Sequence, residues 1–475
     1  MSSERAGRVA IAGASGFVGR ALVEAIAKER DVIALARQTK RKAAADGVEW
    51  RACDLFNLRE AERALAGAEV AVYLVHSMMP SARLTQGRFD DLDLICADNF
   101  ARAAATNGVR HIVYLGGLLP PGSTELSLHL RSRLEVEQAL GSRGIPLTTL
   151  RAGLIIGAGG SSFGMMSRLV GRLPFMLGPR WTQSSSQPIA LHDAVALLVH
   201  AIARPDLAGR AYDIGGPDVL SYADMLRLTG AAMGKRTRVV TLPIDTVKLS
   251  LLWVSVITGA SQELVRPLVE SLRHDMVATD GLVFQKEVGL EAAPLGDALE
   301  RAMREEKATR EDKAQQGEEA PAERRTTTKA DRRVCSVQRL PLPAGRDATW
   351  VAEEYVRWLP RFMRPLLRVV TDSERTCRFY VWPLAEPLLV LRFQSDRSAP
   401  DRQLFFVTEG LLVGASSSAR ARLEFRNALE GSCVLAAIHD FVPRLPWFIY
   451  KYTQALVHLF VMRSFGRHLA KEPAA

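Results

Sequence analysis

Near the start of the chain the sequence runs Arg8-Val9-Ala10-Ile11-Ala12-Gly13-Ala14-Ser15-Gly16-Phe17-Val18-Gly19, an apolar run followed by three spaced glycines and then by a helical pattern. Each glycine has a physical task at a strand-turn-helix junction. Gly13 permits the tight turn, Gly16 lets the backbone approach a pyrophosphate, and Gly19 lets the helix pack closely on the strand; the helix N-terminus adds free N–H groups and a favourable dipole. A motif placed directly after a strand and directly before a helix predicts a dinucleotide site, the other reading being a turn that is structural only.

From Arg8 to about Leu150 short β-branched runs alternate with longer helical patterns: RVAIAG, a helix from Phe17, DVIALAR, VEWRACD, EVAVYLV, a helix through Asp90 to Asn107, HIVYLGG, and a helix near Leu126 to Leu140. Strands alternating with helices imply right-handed crossovers and a parallel sheet covered on both faces, hence an α/β, doubly wound Rossmann domain. Mixed elements from Ala152 to Glu300 are expected to build a substrate lobe at the carboxyl ends of the strands.

The second strand ends in Arg37, followed by Lys40, Arg41 and Lys42, where an NAD site would place an acid for the ribose 2′-hydroxyl. A cationic fork suits a 2′-phosphate, so NADP(H) is preferred and NAD(H) is the alternative; the bland reading is a solvated basic loop. Asp54, followed by Leu55 after the third strand, is placed to meet the adenine amino group or simply to cap a turn. The strand ending Leu74-Val75-His76 is expected beneath the adenosine ribose.

The chain has 475 residues, enough for two or three cores, and is 48% hydrophobic and 24% charged with a mean hydropathy near zero. That excludes wholesale disorder, collagen and a polytopic membrane protein. A net charge of +10 from 62 Lys+Arg against 52 Asp+Glu carries no basic tail, so no nucleic-acid partner is expected. Five scattered cysteines with no CxxC pair predict neither a zinc site, or any other metal, nor a disulfide framework. These features and the polar N-terminus point to the cytoplasm, with contact at the inner face of the membrane as the variant. The apolar residues 249–260 and 447–462 are too short to span a bilayer.

Composition changes at residues 304–334, which have almost no large apolar side chain and read as a charged flexible linker or a frayed charged helix. It divides residues 1–303 from residues 335–475. Beyond it come a helix around Ala348 to Leu359, the strand-like runs CRFYVWPL, LLVLRFQS, QLFFVTEG, ARLEFRNAL and SCVLAAIHDF, and one long amphipathic helix from Pro446 to about Leu469. This α+β pattern predicts an antiparallel sheet wrapped on that helix, through Phe448, Tyr452, Ala455, Leu459 and Met462. A membrane-surface helix is the other reading.

The glycine loop and the cofactor residues that follow it resemble the short-chain dehydrogenase/reductase superfamily in its atypical extended, NmrA-like branch, and the runs YLVHSM, YLGGL, LHLRSRLEVEQAL, LRAGLIIGAGGSSF and RLPFMLGPRW look like a bacterial group of NAD(P)-binding proteins that carry an extra C-terminal domain. The likeness covers roughly residues 8 to 300. Residues 335–471 are more loosely similar to a helix-grip domain of polyketide cyclase and lipid-transfer relatives. The resemblance implies cofactor contacts at Gly13, Ser15, Gly16, Phe17, Val18, Gly19, Arg37, Asp54, Leu55, Val75 and His76, and it matches Asn99 to an asparagine common in extended members.

Active members of that superfamily pair Tyr-x-x-x-Lys on one helix with a serine at the end of the preceding strand. Here His129-Leu130-Arg131-Ser132-Arg133 and Leu115-Gly116-Gly117-Leu118 stand in those places. His129 is suited to proton exchange with a carbonyl substrate and Arg133 to holding a ribose; otherwise both simply line one face of a helix. Two functions follow. One is an NADPH-dependent oxidoreductase of a hydrophobic carbonyl, quinone or isoprenoid-like substrate, the C-terminal domain handling a lipid-like ligand. The other is a non-catalytic NAD(P)H-sensing regulatory or assembly protein.

Overall fold

The computed structural model describes residues 6–39, 46–76, 84–120, 126–242, 271–315, 333–414 and 421–474. Lys40, Arg41, Lys42 and the apolar residues 249–260 lie outside them. Contacts divide the chain into two compact units, one of Met1–Met78 with Asn99–Arg324, the other of Met79–Asp98 with Arg325–Ala475. This departs from the expected boundaries in placing residues 79–98 with the C-terminal unit.

In chain order the first elements are β1 (Ala6–Ala12), α1 (Phe17–Ile26), β2 (Arg30–Ala36), β3 (Val48–Ala52), α2 (Leu58–Ala64), β4 (Val70–Tyr73), β5 (Leu84–Gln86) and α3 (Phe89–Thr106). There follow β6 (His111–Gly117), α4 (Leu128–Gly141), β7 (Leu147–Ala152), α5 (Ser161–Arg172), α6 (Leu191–Ala203), β8 (Arg210–Ile214), α7 (Tyr222–Ala232), α8 (Val283–Glu287) and α9 (Leu295–Gln315). Seven of the strands form a parallel sheet in the order β8-β7-β6-β4-β1-β2-β3. The order reverses between β1 and β4, the crevice where such sheets bind ligands outside the carboxyl ends of their strands.

The central strands are apolar on both faces because helices cover both. Leu22, Val23 and Ile26 of α1 and Leu197, Leu198 and Ala201 of α6 share a core with Val72. Tyr73, one residue later and so on the opposite face, meets Phe100 of α3 edge to face at 5.1 Å. Residues 304–315, expected in the linker, continue α9 as a charged helix laced by i, i+4 pairs such as Arg301–Glu305 at 3.0 Å and Arg310–Glu306 at 3.3 Å.

The second unit contains β9 (Val334–Pro341), α10 (Ala348–Phe362), β10 (Leu367–Thr371), β11 (Cys377–Val381), β12 (Leu389–Phe393), β13 (Arg402–Glu409), β14 (Arg422–Ala428), β15 (Cys433–Phe441), α11 (Trp447–Tyr452) and α12 (Gln454–Leu469). Its eight-stranded sheet has the order β10-β11-β12-β13-β14-β15-β9-β5. All pairs are antiparallel except β9 with β5, which is parallel. The rings of Tyr355 and Trp358 from α10 meet Phe425 of β14 and Phe465 of α12 at 5.1 to 5.5 Å, the centre of its core. The single C-terminal helix expected from Pro446 is two helices, because Thr453 leaves helical geometry at φ −127° and ψ −86°.

The other face of β14 is charged and buried. Arg426 pairs with Asp98 at 2.7 Å and with Glu424 at 2.6 Å, and Arg402 reaches Glu424 at 2.7 Å. Burial alone would push the Glu424 carboxyl up; Arg426 and Arg402 outweigh it and hold the group well below its ordinary range.

Candidate functional site

The site grows from the turn after β1. Val9, Ala10, Ile11 and Ala12 are fully buried, which fixes the strand in the middle of the sheet. The chain then reverses at Gly13, whose φ of +86° favours glycine, and the Gly16 amide closes the turn on the Gly13 carbonyl at 2.8 Å. A Cβ at Gly19 would stand 2.1 Å from the Gly13 oxygen and 2.8 Å from the Ala14 Cα, so only glycine allows this helix to approach this strand. A Cβ at Gly16 would meet only the Gly13 oxygen, at 3.1 Å. Ser15 and Gly16 face outward, and Phe17 and Val18 are half-buried.

No side chain caps α1, and its first turn holds no acid. Its leading N–H groups and positive dipole end therefore remain available for an anion of the size of a pyrophosphate. This open cradle fits a dinucleotide. The Phe17 ring is overlaid by a second glycine-rich loop: a Cβ at Gly160 would come within 2.9 Å of its Cζ, and one at Gly157 within 3.2 Å. That packing was not foreseen, although GAGG at residues 157–160 carries the signal.

Strand register brings the other candidates to the same edge of the sheet. Ala12 is level with Leu35 of β2 and with Tyr73 of β4, and Ala36 is level with Ala52 of β3. Arg37, Asp54, Leu55, Val75 and His76 thus all leave the carboxyl ends of strands beside Gly13. Arg37 is exposed. Asp54 accepts from the Phe56 amide at 3.1 Å, a turn-capping bond, while the Leu55 carbonyl accepts from the amide side chain of buried Asn99 at 2.8 Å.

Farther along this edge β6 ends in Gly116 and Gly117, and the first turns of α4 face it. The N-terminus of α4 is capped by Ser127, whose hydroxyl accepts from the Leu130 amide at 3.3 Å. His129 and Arg133, four residues apart, share one helix face. Arg133 is buried, with its stem against Gly117, where a Cβ would lie 3.4 Å from Cγ; the Tyr114 hydroxyl donates to its carbonyl at 3.2 Å. The His129 ring lies 5.0 Å from that of His76. The sequence marked these two histidines for different tasks, and their approach depends on the placing of α4 against the end of β4.

Residues 13–160 match the model of a family described as NAD(P)H-binding. Over 144 residues the chain is 34% identical to the auxiliary protein GraX of Staphylococcus aureus, a stretch covering 30% of this chain and 43% of GraX, so less than half of that relative is spanned. It is 29% identical over 247 residues to the ceramide reductase of Caulobacter vibrioides, covering 51% of this chain and 76% of the reductase. The triphenylmethane reductase of Citrobacter sp. superposes with a TM-score of 0.50 at 18% identity, over 62% of this chain and 99% of that one, a likeness of fold. The glycine cradle, the uncapped helix and the family match agree: the chain carries an NAD(P)H-binding domain.

Proposed function

We propose that the protein is an NADP(H)-dependent oxidoreductase acting on a hydrophobic carbonyl, quinone or isoprenoid-like substrate. The observation that carries this reading is the arrival of a proton-carrying side chain, His129, with Arg133 on the same helix face at the strand edge that holds the glycine cradle. The cofactor contacts would be Gly13, Ser15, Gly16, Phe17, Val18 and Gly19 at the pyrophosphate, Arg37 at the 2′-phosphate, Asp54 and Leu55 near the adenine, and Val75 and His76 under the ribose. When bound, a reduced nicotinamide supplies a hydride to the substrate carbon. His129 would give a proton to the carbonyl oxygen, with His76 beside it to orient the ring, and Arg133 would hold the nicotinamide ribose without exchanging protons. The name of the ceramide reductase supports a hydrophobic substrate. The second unit, read as helix-grip-like, would then bind or present the lipid-like ligand.

A His129→Ala protein should lose about tenfold or more of its NADPH-oxidising turnover while its affinity for NADPH holds. Unchanged turnover would remove His129 from the reaction. Arg37→Ala should weaken NADPH far more than NADH, and an equal effect on both would exclude a 2′-phosphate contact. A second reading, a non-catalytic NAD(P)H-sensing protein, is favoured by Gly116 and Gly117 in the place of a hydroxyl-bearing residue and by the auxiliary role in the name of GraX. Tight NADPH binding without turnover on carbonyl, quinone and azo substrates would support it.

A further inference from the structure

The C-terminal helices leave large apolar side chains in water. Leu456, Val457 and Phe460 are 54, 53 and 57% exposed, on the side of α12 away from Ala455, Met462, Phe465 and Leu469, which are buried; Tyr452 of α11 is 67% exposed. The Phe460 ring lies 5.8 Å from that of Phe362 at the end of α10. The turn after Phe362 leads to Leu366, 52% exposed, whose carbonyl accepts at 3.0 Å from the amide of Trp382, 75% exposed. The ring contact joins α12 to the end of α10, and the backbone bond joins Trp382 to the turn that follows it. Exposed apolar groups scattered singly need no partner, whereas a cluster of this kind marks a contact surface.

Its charge identifies the occupant. Residues 353–372 and 440–472 hold nine Lys and Arg against five Asp and Glu, a local surplus of four positive charges. Arg361 and Arg364 flank Phe362, and Arg463 follows Phe460 by one helical turn on the same face of α12; all three are exposed and form no ion pair among the described residues. A second copy of the chain would set these arginines against themselves. A lipid surface instead offers apolar depth beneath a layer of phosphates, the order in which aromatic and basic residues occur here. Among the described residues no helix is long and apolar enough to cross a membrane.

We propose that the face formed by Trp382, Leu366, Phe362, Phe460, Leu456 and Tyr452 docks on an anionic bilayer, with Arg361, Arg364 and Arg463 at the level of the lipid phosphates. The inference stands apart from the reductase reading. The test is co-sedimentation of the full chain with vesicles of phosphatidylcholine and with vesicles of phosphatidylcholine and phosphatidylglycerol in equal parts. The chain should pellet with the mixed vesicles and remain mostly in solution with the neutral ones. Leu456→Ser with Phe460→Ser should reduce partitioning by about tenfold or more. Arg361→Gln with Arg364→Gln and Arg463→Gln should erase the preference for anionic lipid. These side chains are exposed, so circular dichroism and NADPH affinity should be unchanged and will separate a lost surface from a lost fold. The proposal is overturned if the wild type ignores anionic vesicles, or if L456S/F460S pellets equally well. A vesicle-free dimer that the L456S/F460S protein converts to monomer would assign the face to a second copy and overturn it too.

Discussion

Gly16 and Gly19 differ in what a single methyl group would do. At Gly19 it would collide with the Gly13–Ala14 backbone, which cannot turn away as a side chain can. Gly19→Ala should therefore cost roughly 1–3 kcal/mol of stability and weaken NADPH as well. Gly16→Ala should stay within about 0.5 kcal/mol of the parent yet weaken NADPH by about tenfold or more, because the new methyl stands where the pyrophosphate approaches. Thermal melting with calorimetric titration separates the two, and normal NADPH affinity in Gly16→Ala would place the phosphates elsewhere. His458 carries a different prediction. Its ring is turned toward buried Ser336, Nε2 lying 3.3 Å from Oγ, and burial pushes its pKa from 6.5 down to about 4. The unfolded chain binds the extra proton between those values, so the contribution is complete above pH 6.5 and is lost as pH falls toward 4. His458→Gln should flatten the pH dependence of the melting temperature across that window; an unaltered slope would assign the acid sensitivity to other groups.

Among the elements, β14 joins the two kinds of core in the second unit. Leu423 and Phe425 face the aromatic centre, and Arg422, Glu424 and Arg426 alternate with them on the opposite face. Arg426→Met would leave Asp98 and Glu424 buried without their shared cation, a loss of about 3–5 kcal/mol. Replacing Asp98, Arg402, Glu424 and Arg426 together by apolar residues of similar volume, so that Arg402 does not lose its own partner Glu424, should recover most of it, and denaturant melts of the two proteins would show whether burial of unpaired charge is the cause. The same strand shows how far the sequence can be read. Alternation in RLEFRNA identifies a strand, but it looks like a strand with one wet face. That face is dry because Asp98 arrives from 328 residues away, and local periodicity contains no such information. The glycine loop was legible for the converse reason: its constraints, a positive φ at Gly13 and the absence of room at Gly19, lie within seven residues of one another. The approach of His76 to His129 was not legible, since it requires two elements separated by β5, α3 and β6 to meet. Nor were β9 and β10 read as strands, their arginines interrupting the apolar runs.

At the scale of the whole chain, residues 79–98 fall in sequence between strands of the first sheet yet complete the second unit. Leu84, Thr85 and Gln86 pair with Val334, Cys335 and Ser336, so they occupy the open edge of β9. Arg339 reaches Asp91 at 2.8 Å, Gln86 donates to the Ala455 carbonyl at 3.2 Å, and Asp98 balances Arg426. A three-residue strand is too short for any periodic pattern, which is why the expected domain boundary passed it by. A fragment of residues 333–474 alone would expose an unpaired strand edge and retain Arg426 without the Asp98 carboxylate, inviting association between edges and costing stability. That fragment should aggregate or melt well below the full chain. The same fragment preceded by residues 79–98 through a flexible glycine-serine linker should be monodisperse and melt cooperatively, with slow amide exchange at Val334 to Val337 where the bare fragment exchanges fast. If the bare fragment melts as cooperatively, and at the same temperature, as the one carrying residues 79–98, then the β9 edge and Arg426 do not depend on that segment, and the C-terminal sheet is complete without it.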